Sequence, residues 1–303
     1  RACLDLIARH RISVANLPAS FWHVVVDELA ALGQGVPATL RLMVTGSERI
    51  RPSALRKWRA LAPDVTWING YGPTEATVDS TVWTLEPGAP VPEVQLPIGR
   101  PITNTRLYVL DAEGEPVPVG ASGHLHIGGA GVARGYLERP ALTAERFVPD
   151  PFGKPGSRVY RSGDLTRGRP DGVVDYLGRV DHQVKIRGFR IELGEIEARL
   201  QAHPHVEEAV VVARDTPQGK QLVGYAVAGC DGEALRQALA GQLPEFMLPA
   251  RILVLDAMPL SPNGKLDRKQ LPRPQLEQVE DRLAREFEEH VRGIVGRVLG
   301  LGQ

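Results

Sequence analysis

Four short stretches of the chain concentrate side chains with chemical capacity. In "NGYGPTEATVD", Asn69 to Asp79, an aromatic, a hydroxyl and a carboxylate sit among two glycines and a proline. Gly70, Gly72 and Pro73 disfavour both helix and strand, so the spacing predicts Tyr71, Thr74 and Glu75 on a tight loop, unless the stretch is an ordinary turn. "YRSGDL", Tyr160 to Leu165, carries Asp164 after a glycine, expected in a turn at the end of a strand. A carboxylate there can accept two hydrogen bonds from a diol such as a ribose, or satisfy local backbone amides. "DYLGRVDHQVKIRGFRIELGEIE", Asp175 to Glu197, alternates Arg179, Asp181, Lys185, Arg187 and Arg190 with apolar residues. This reads as a cationic strand, with Gly188 allowing close approach of an anionic ligand, or as a solvated charged edge. "SPNGKLDR", Ser261 to Arg268, places Lys265 behind an Asn-Gly turn on a projecting loop, where a lysine is commonly only solvated. "GGAGVARGYL", Gly128 to Leu137, fails the GxGxxG spacing at Arg134 and lacks a surrounding Rossmann unit, so its glycines are read as sites of close backbone packing.

The elements that must position these residues fall into three textures. Before Val94, helical spacing ("SALRKWRALA") alternates with strand-like runs ("ATLRLMVTG", "DVTWING", "STVWTLE"). From Val94 to Gly178, short strands such as "TRLYVLD" and "GHLHIGG" are separated by Gly-, Pro- and Asp-rich turns, as in a small barrel or strongly bent sheet. From Asp181, "ELGEIEARLQAH" forms a helix with Leu193, Ile196 and Leu200 on one face. "EEAVVVARD", "KQLVGYAVAG" and "RILVLD" read as strands and "GEALRQALAGQL" as a second helix, which makes a compact α+β unit. "LPRPQ" is a stiff linker, and Leu276, Val279, Leu283, Phe287, Val291, Ile294 and Val298 fall at the spacing of a last amphipathic helix.

Bulk composition bounds the class. The 303 residues suggest about two domains, with 43% hydrophobic and 24% charged residues, an ordinary globular mixture. Lys+Arg and Asp+Glu both count 36, so there is no general attraction to nucleic acid or an anionic membrane. Two distant cysteines, Cys3 and Cys230, provide neither a disulfide framework nor a zinc cluster. No apolar run reaches membrane-span length and no signal peptide opens the chain, so a cytoplasmic protein is expected.

The order of the motifs says more than any one of them. "NGYGPTE", "GHLHIGGAGVARGYL", "YRSGDL", "GRVDHQVKIRGFRIELGEIE", "LPEFMLP" and "NGKLDR" together resemble the motif series of nonribosomal peptide synthetase adenylation domains, within the adenylate-forming superfamily. The likeness runs from about Asn16 to Arg268, and the proline of "YGPTE" points to the amino-acid-activating branch. The resemblance implies an α/β (α+β) fold: residues 1–180 as part of a large adenylation subdomain with a barrel-like segment at about 94–178, residues 181–272 as a small mobile subdomain, and residues 273–303 as linker and first helix of a carrier domain.

It also implies roles. Tyr71 would stack on adenine, with Gly72 beside it; Thr74 would bind the α-phosphate and Glu75 would hold Mg²⁺. Asp164 would take the ribose hydroxyls, Tyr176 and Arg179 would line the nucleotide site, Asp181 would be the hinge, and the Gly188 strand would face the pantetheine arm of the carrier. Lys265 would reach the substrate carboxylate and α-phosphate, so Lys265, Thr74 and Glu75 form the expected catalytic set. Asn16, Met43, Thr45, Gly70, Val78 and Asp79 would wall the amino-acid pocket, with Asp79 favouring a polar or cationic side chain. The implied reaction joins ATP and an amino acid to aminoacyl-AMP, releases pyrophosphate, then passes the acyl group to a phosphopantetheine thiol, in the secondary metabolism of antibiotics or siderophores. Such chemistry needs positioning and charge neutralisation rather than a side-chain nucleophile, and no Ser-His-Asp or Cys-His arrangement is evident. The partners implied are the amino acid, a peptidyl carrier domain and neighbouring synthetase domains, with no nucleic acid and no membrane.

Departures from the pattern are specific. The phosphate loop and the amine-binding Asp are expected upstream of Arg1, so the 303 residues alone are expected to be nearly inactive. His124 stands where the family usually has Glu, and "VRGIVGRVLGLGQ" stops before the Ser that carries phosphopantetheine. Competing readings are a stand-alone acyl-CoA or aryl-acid ligase and a non-catalytic docking unit for a carrier.

Overall fold

A computed structural model describes residues 2–181, 183–216, 219–261 and 266–273. The chain divides into two compact units: Arg1–Glu195 with Asp215–Gln221, and Ile196–Arg214 with Leu222–Gln303. The expected loop of Lys265 and the expected final helix over 276–298 lie outside the described residues.

In the first unit, α1 (Ala2–Arg9), β1 (Val14–Pro18), α2 (Ala19–Leu32), β2 (Leu42–Gly46), α3 (Pro52–Leu61) and β3 (Thr66–Tyr71) alternate as the apolar periodicity requires. β4 (Thr81–Leu85) and β5 (Arg100–Pro101) complete a five-stranded sheet in the order β1-β2-β3-β4-β5. The first three strands are parallel, and β4 turns back antiparallel to β3. Helix α2 buries Trp22, Val25, Val26 and Leu29, an i, i+3, i+4, i+7 stripe, and ends on Gly33 in the left-handed conformation. Trp22 is the hub of the core, with ring centroids 5.8 Å from Trp58 and 5.6 Å from Trp67.

The expected bent sheet is present. β6 (Thr105–Leu110), β7 (Ser122–Gly129), β8 (Phe147–Pro149), β9 (Arg158–Gly168) and β10 (Val174–Arg179) form an antiparallel sheet in the order β10-β9-β7-β6, with β8 on β9 and α4 (Pro140–Arg146) leading into β8. Its register breaks between His124 and His126 and again between Tyr176 and Gly178. Each bulge adds local twist and bends the strand that carries it.

The charged stretch after Asp181 folds differently from the single cationic strand expected. It is a hairpin of β11 (Val184–Ile186) and β12 (Phe189–Ile191), because Arg187 at φ 53° and Gly188 at φ 81° make the tight turn between them. α5 (Leu193–Gln201) follows and buries Leu193, Ile196 and Leu200 as its spacing requires. β13 (Val206–Thr216), β14 (Gly219–Ala228) and β15 (Arg251–Val254) form a three-stranded sheet in that order, with β14 and β15 parallel. α6 (Gly232–Ala240) lies between β14 and β15 in the chain and is capped by Asp231, whose carboxylate accepts from Ala234 N at 2.8 Å. In the second unit, Val210, Val212, Val223, Tyr225, Met258 and Leu271 make a separate core.

All four tryptophans lie at or before Trp83, so their fluorescence reports on the first unit. Leu55 is fully buried beside them, whereas Val24 is 61% exposed on α2. Leu55→Ala is expected to cost about 2–5 kcal/mol, and Val24→Ala less than about 0.5 kcal/mol. Urea denaturation followed by tryptophan emission checks this; equal midpoints for the two variants would contradict the assigned core.

Candidate functional site

Two clusters of buried charge form in the first unit. The first is built on Asp164. This residue is not in a turn at a strand end, as its sequence context suggests, but in the middle of the eleven-residue strand β9. The bulge opposite Leu125 makes the difference: Gly163 adopts φ 77°, which re-aims the following side chain. Ser162 Oγ donates to Leu125 O at 2.8 Å and accepts from Asp164 N at 3.1 Å, so the bulge is pinned from both sides.

Asp164 is 5% exposed. Arg179 Nη1 donates to its Oδ1 at 2.8 Å, and the Tyr71 hydroxyl donates to its Oδ2. Arg179 also grips Asp181 through two bonds, Nε to Oδ1 at 2.6 Å and Nη2 to Oδ2 at 2.7 Å, and donates to Ser162 O at 3.0 Å. Burial holds the Asp164 carboxyl above its ordinary range against the pull of Arg179. At Asp181 burial also pushes upward, but the bonds from Arg179 outweigh it and hold that carboxyl below the usual range. The Tyr176 ring centroid is 6.2 Å from that of Tyr71. Thus Tyr71, Asp164, Tyr176, Arg179 and Asp181, separated by over a hundred positions in sequence, come together. Tyr71 is not on a loop: it is the last residue of β3, because the strand pairing with β4 runs through Gly70 and Tyr71.

The second cluster is built on Glu75. Thr74–Ala76 form a single 3₁₀ turn after Pro73, with Thr74 exposed and Glu75 8% exposed. Ala133 N donates to Glu75 O at 2.8 Å, and Thr77 Oγ1 donates to Gly131 O at 2.7 Å, so the glycine-rich loop packs directly on this turn. That packing, which the glycines suggest, also delivers a residue that the sequence reading missed. Tyr136 donates its hydroxyl to Glu75 Oε1 at 2.6 Å. Arg190 Nη1 donates to Oε2 at 2.6 Å, and its Nη2 reaches the hydroxyl of fully buried Tyr160 at 3.2 Å. Burial raises the Glu75 carboxyl, but the Tyr136 hydroxyl and the Arg190 guanidinium outweigh it and hold it below the usual carboxylate range. Lys185, one of the cations of the alternating stretch, is partly buried; burial lowers its ammonium, opposed by the charges of Asp164 and Glu48. Gly188 N donates to Glu48, so this glycine serves a turn and a carboxylate contact.

The cationic stretch is therefore not a bare anion site in this arrangement: Arg179 and Arg190 are already paired with carboxylates. The same holds for a divalent cation on Glu75. Both of its oxygens are engaged, and the described residues hold no group of three or more His, Cys, Asp or Glu suited to a metal. A cation such as Mg²⁺ needs close oxygen ligands, so the donor set as arranged does not fit one.

The residues expected to wall a substrate pocket are spread over neighbouring strands. Asn16 is exposed on β1, opposite Val44, and Thr45 Oγ1 on β2 donates to Ile68 O at 3.3 Å. Met43 is 1% exposed within the tryptophan core. Val78 is 73% exposed and, like Thr77, left-handed. Asp79 lies against Gly70, where an added Cβ would sit 2.6 Å from Asp79 Oδ1, and a Cβ on Gly72 would meet Val78 O at 2.4 Å. Burial raises the Asp79 carboxyl, and no cation offsets it among the described residues.

Residues 1–137 match the family model described as "AMP-binding enzyme", and residues 195–265 match "AMP-binding enzyme C-terminal domain". A dimodular nonribosomal peptide synthase of Bacillus subtilis (strain 168) is 46% identical over 309 residues, covering 100% of this chain and 12% of that protein. Phosphinothricin tripeptide synthetase PhsB of Streptomyces viridochromogenes is 50% identical, over 82% of this chain and 21% of its own length. Among solved structures, holo-PA1221, an NRPS protein containing adenylation and PCP domains bound to a vinylsulfonamide inhibitor, aligns at a TM-score of 0.78 and 31% identity, over 88% of this chain and 45% of that one. The chain thus spans a minor part of the length of the curated relatives it matches.

Removing Arg179 should expose the cost of burying Asp164. Arg179→Gln is expected to destabilise the folded state by about 3–5 kcal/mol at neutral pH. The sign with pH is fixed. Without Arg179, the folded-state pKa of Asp164 rises further above its unfolded value, so stability falls as pH rises through it; Asp181 loses the depression that contributes above its unfolded pKa. The deficit should therefore shrink as pH is lowered through the carboxylate range. Urea denaturation of wild type and variant from pH 3.5 to 8 measures it; a deficit independent of pH would contradict this electrostatic account.

Proposed function

The chain belongs to the AMP-binding enzyme family, and on that premise we propose that it is part of an amino-acid adenylation domain of a nonribosomal peptide synthetase. The observation that carries this reading is the convergence of Tyr71, Asp164, Tyr176 and Arg179. An aromatic pair beside a buried carboxylate suits a purine nucleoside, with ribose hydroxyls replacing the Tyr71 hydroxyl on Asp164. The overall reaction is attack of an amino-acid carboxylate oxygen on the α-phosphorus of ATP with loss of pyrophosphate, then transfer of the acyl group to a carrier thiol with release of AMP.

In this reading Thr74, exposed on its turn, donates to the α-phosphate, and Gly72 keeps the backbone beside it free of a side chain. Lys265 supplies positive charge where the attacking and phosphate oxygens meet. Glu75 is the protein carboxylate that would hold Mg²⁺, and the ion would supply charge neutralisation at the phosphates. Residues 1–180 form the end of the large subdomain and 181–272 the small one, with Asp181 as hinge. Residues 273–303 are read as the linker and first helix of a carrier domain, whose phosphopantetheine would take the acyl group. Partners are the amino acid, that carrier and neighbouring synthetase domains, and the setting is the cytoplasm; no helix among the described residues is long and apolar enough to cross a membrane. Asn16, Met43, Thr45, Gly70, Val78 and Asp79 wall the amino-acid pocket. A carboxylate already raised by burial favours a hydrogen-bond-donating or cationic side chain over a plain apolar one.

Two measurements on the full-length protein test this. Amino-acid-dependent exchange of pyrophosphate into ATP is expected, and Lys265→Ala should reduce it about 100-fold or more while ATP affinity changes little; activation of fatty or aryl acids instead would assign the chain to an acyl or aryl ligase. A substrate panel on wild type and Asp79→Ala should show a polar or cationic preference that the variant loses. A wild-type preference for Leu or Phe, unchanged in Asp79→Ala, would make Asp79 structural.

A further inference from the structure

Glu75 has two occupants that neither the motif series nor the proposed reaction requires. Tyr136 holds Oε1 and Arg190 holds Oε2, and Arg190 is itself steadied by Tyr160. Ala133 N fixes the Glu75 backbone, and Tyr136 and Arg190 hold its carboxylate in place. A buried carboxylate needs a counter-charge at all times. Two cations on one buried carboxylate oxygen repel each other strongly, because the surroundings screen them poorly.

We propose that Arg190 is a displaceable internal counter-ion of Glu75: its guanidinium takes the carboxylate oxygen a divalent cation would use, so the ion pair and cation binding exclude one another. The proposal rests on the assignment of Glu75 as the cation's carboxylate given above. It explains why the donor set does not fit a metal in this arrangement and why Glu75 can nevertheless be buried. It also couples two events. Arg190 rides on the β11–β12 hairpin and Glu75 on the 3₁₀ turn, so a shift of that hairpin would withdraw the guanidinium and free the carboxylate without moving the turn. The cation then enters a site whose charge is already balanced in its absence, and it must compete for it.

The test is direct binding of Mn²⁺, followed by electron paramagnetic resonance, to the full-length protein in the presence of α,β-methylene-ATP. Turnover plays no part in this readout. If the pair is closed nine-tenths of the time, Arg190→Gln should tighten Mn²⁺ binding by about tenfold, and Glu75→Gln should weaken it. Arg190→Lys, which keeps a charge but lacks the two-pronged fork, should fall between wild type and Arg190→Gln; it carries the test if Arg190→Gln does not fold. Mn²⁺ affinity that is unchanged or weaker in the folded arginine variants, with Glu75→Gln still weakened, would overturn the counter-ion proposal and leave the assignment of Glu75 standing. Unchanged affinity in Glu75→Gln would remove Glu75 as a ligand and the proposal with it.

Discussion

The pairing of Asp164 with Arg179 is the interaction on which the candidate site depends. A carboxylate with 7% side-chain exposure is costly unless it is both paired and hydrogen-bonded. Here one guanidinium satisfies Asp164, Asp181 and a backbone carbonyl together, and Tyr71 takes the remaining carboxylate oxygen. The end of β3, the middle of β9 and the end of β10 are thereby fixed with respect to one another. The bulge at Gly163 exists within an otherwise regular strand, and it turns Asp164 toward these partners.

Glu75 repeats the solution with different parts. Its counter-charge is Arg190, its second hydrogen bond comes from a tyrosine, and its place is fixed by a turn rather than a bulge. In both clusters an arginine and a phenol stand where a ligand would have to bind. Both clusters are thus electrostatically satisfied on their own, so a ligand at the proposed site would exchange with protein groups rather than fill bare charge. That arrangement favours a folded protein whose site does not depend on a bound nucleotide, and it makes the affinity of each ligand a difference between two satisfied states.

Much of this was legible from sequence. The alternation of helix and strand before Val94, the bent sheet, and the stripe of Leu193, Ile196 and Leu200 follow from periodicity and turn residues. The three motifs that hold Tyr71, Glu75, Asp164 and Arg179 stand out as unusual concentrations of polar residues. Two misread features share one cause, which is that pairing across strands overrides local preference. Gly70 and Tyr71 stay in β3 because β4 pairs with them, and Asp164 sits in mid-strand because β7 and β10 flank β9. The hairpin at Arg187 and Gly188 reads from sequence as one strand because alternation is the same on both sides of its short turn. Tyr136 and Tyr160 carry no local sign of their role; only the packing of the glycine-rich loop on the 3₁₀ turn brings Tyr136 to Glu75. The remaining expectations, for Lys265 and the segment from 276 onward, concern residues outside those described.

The central claim is that the Asp164 cluster is a nucleotide site held closed by protein groups. Equilibrium binding of ATP to the full-length protein, compared with Asp164→Asn, tests it most directly. The amide keeps the shape but cannot accept from both ribose hydroxyls as a carboxylate does, so affinity should fall by about tenfold or more, on the scale of one charge-assisted hydrogen bond. The denaturation midpoint should confirm that the variant is folded. Unchanged ATP affinity in a folded Asp164→Asn protein would contradict the account and leave the cluster a purely structural one.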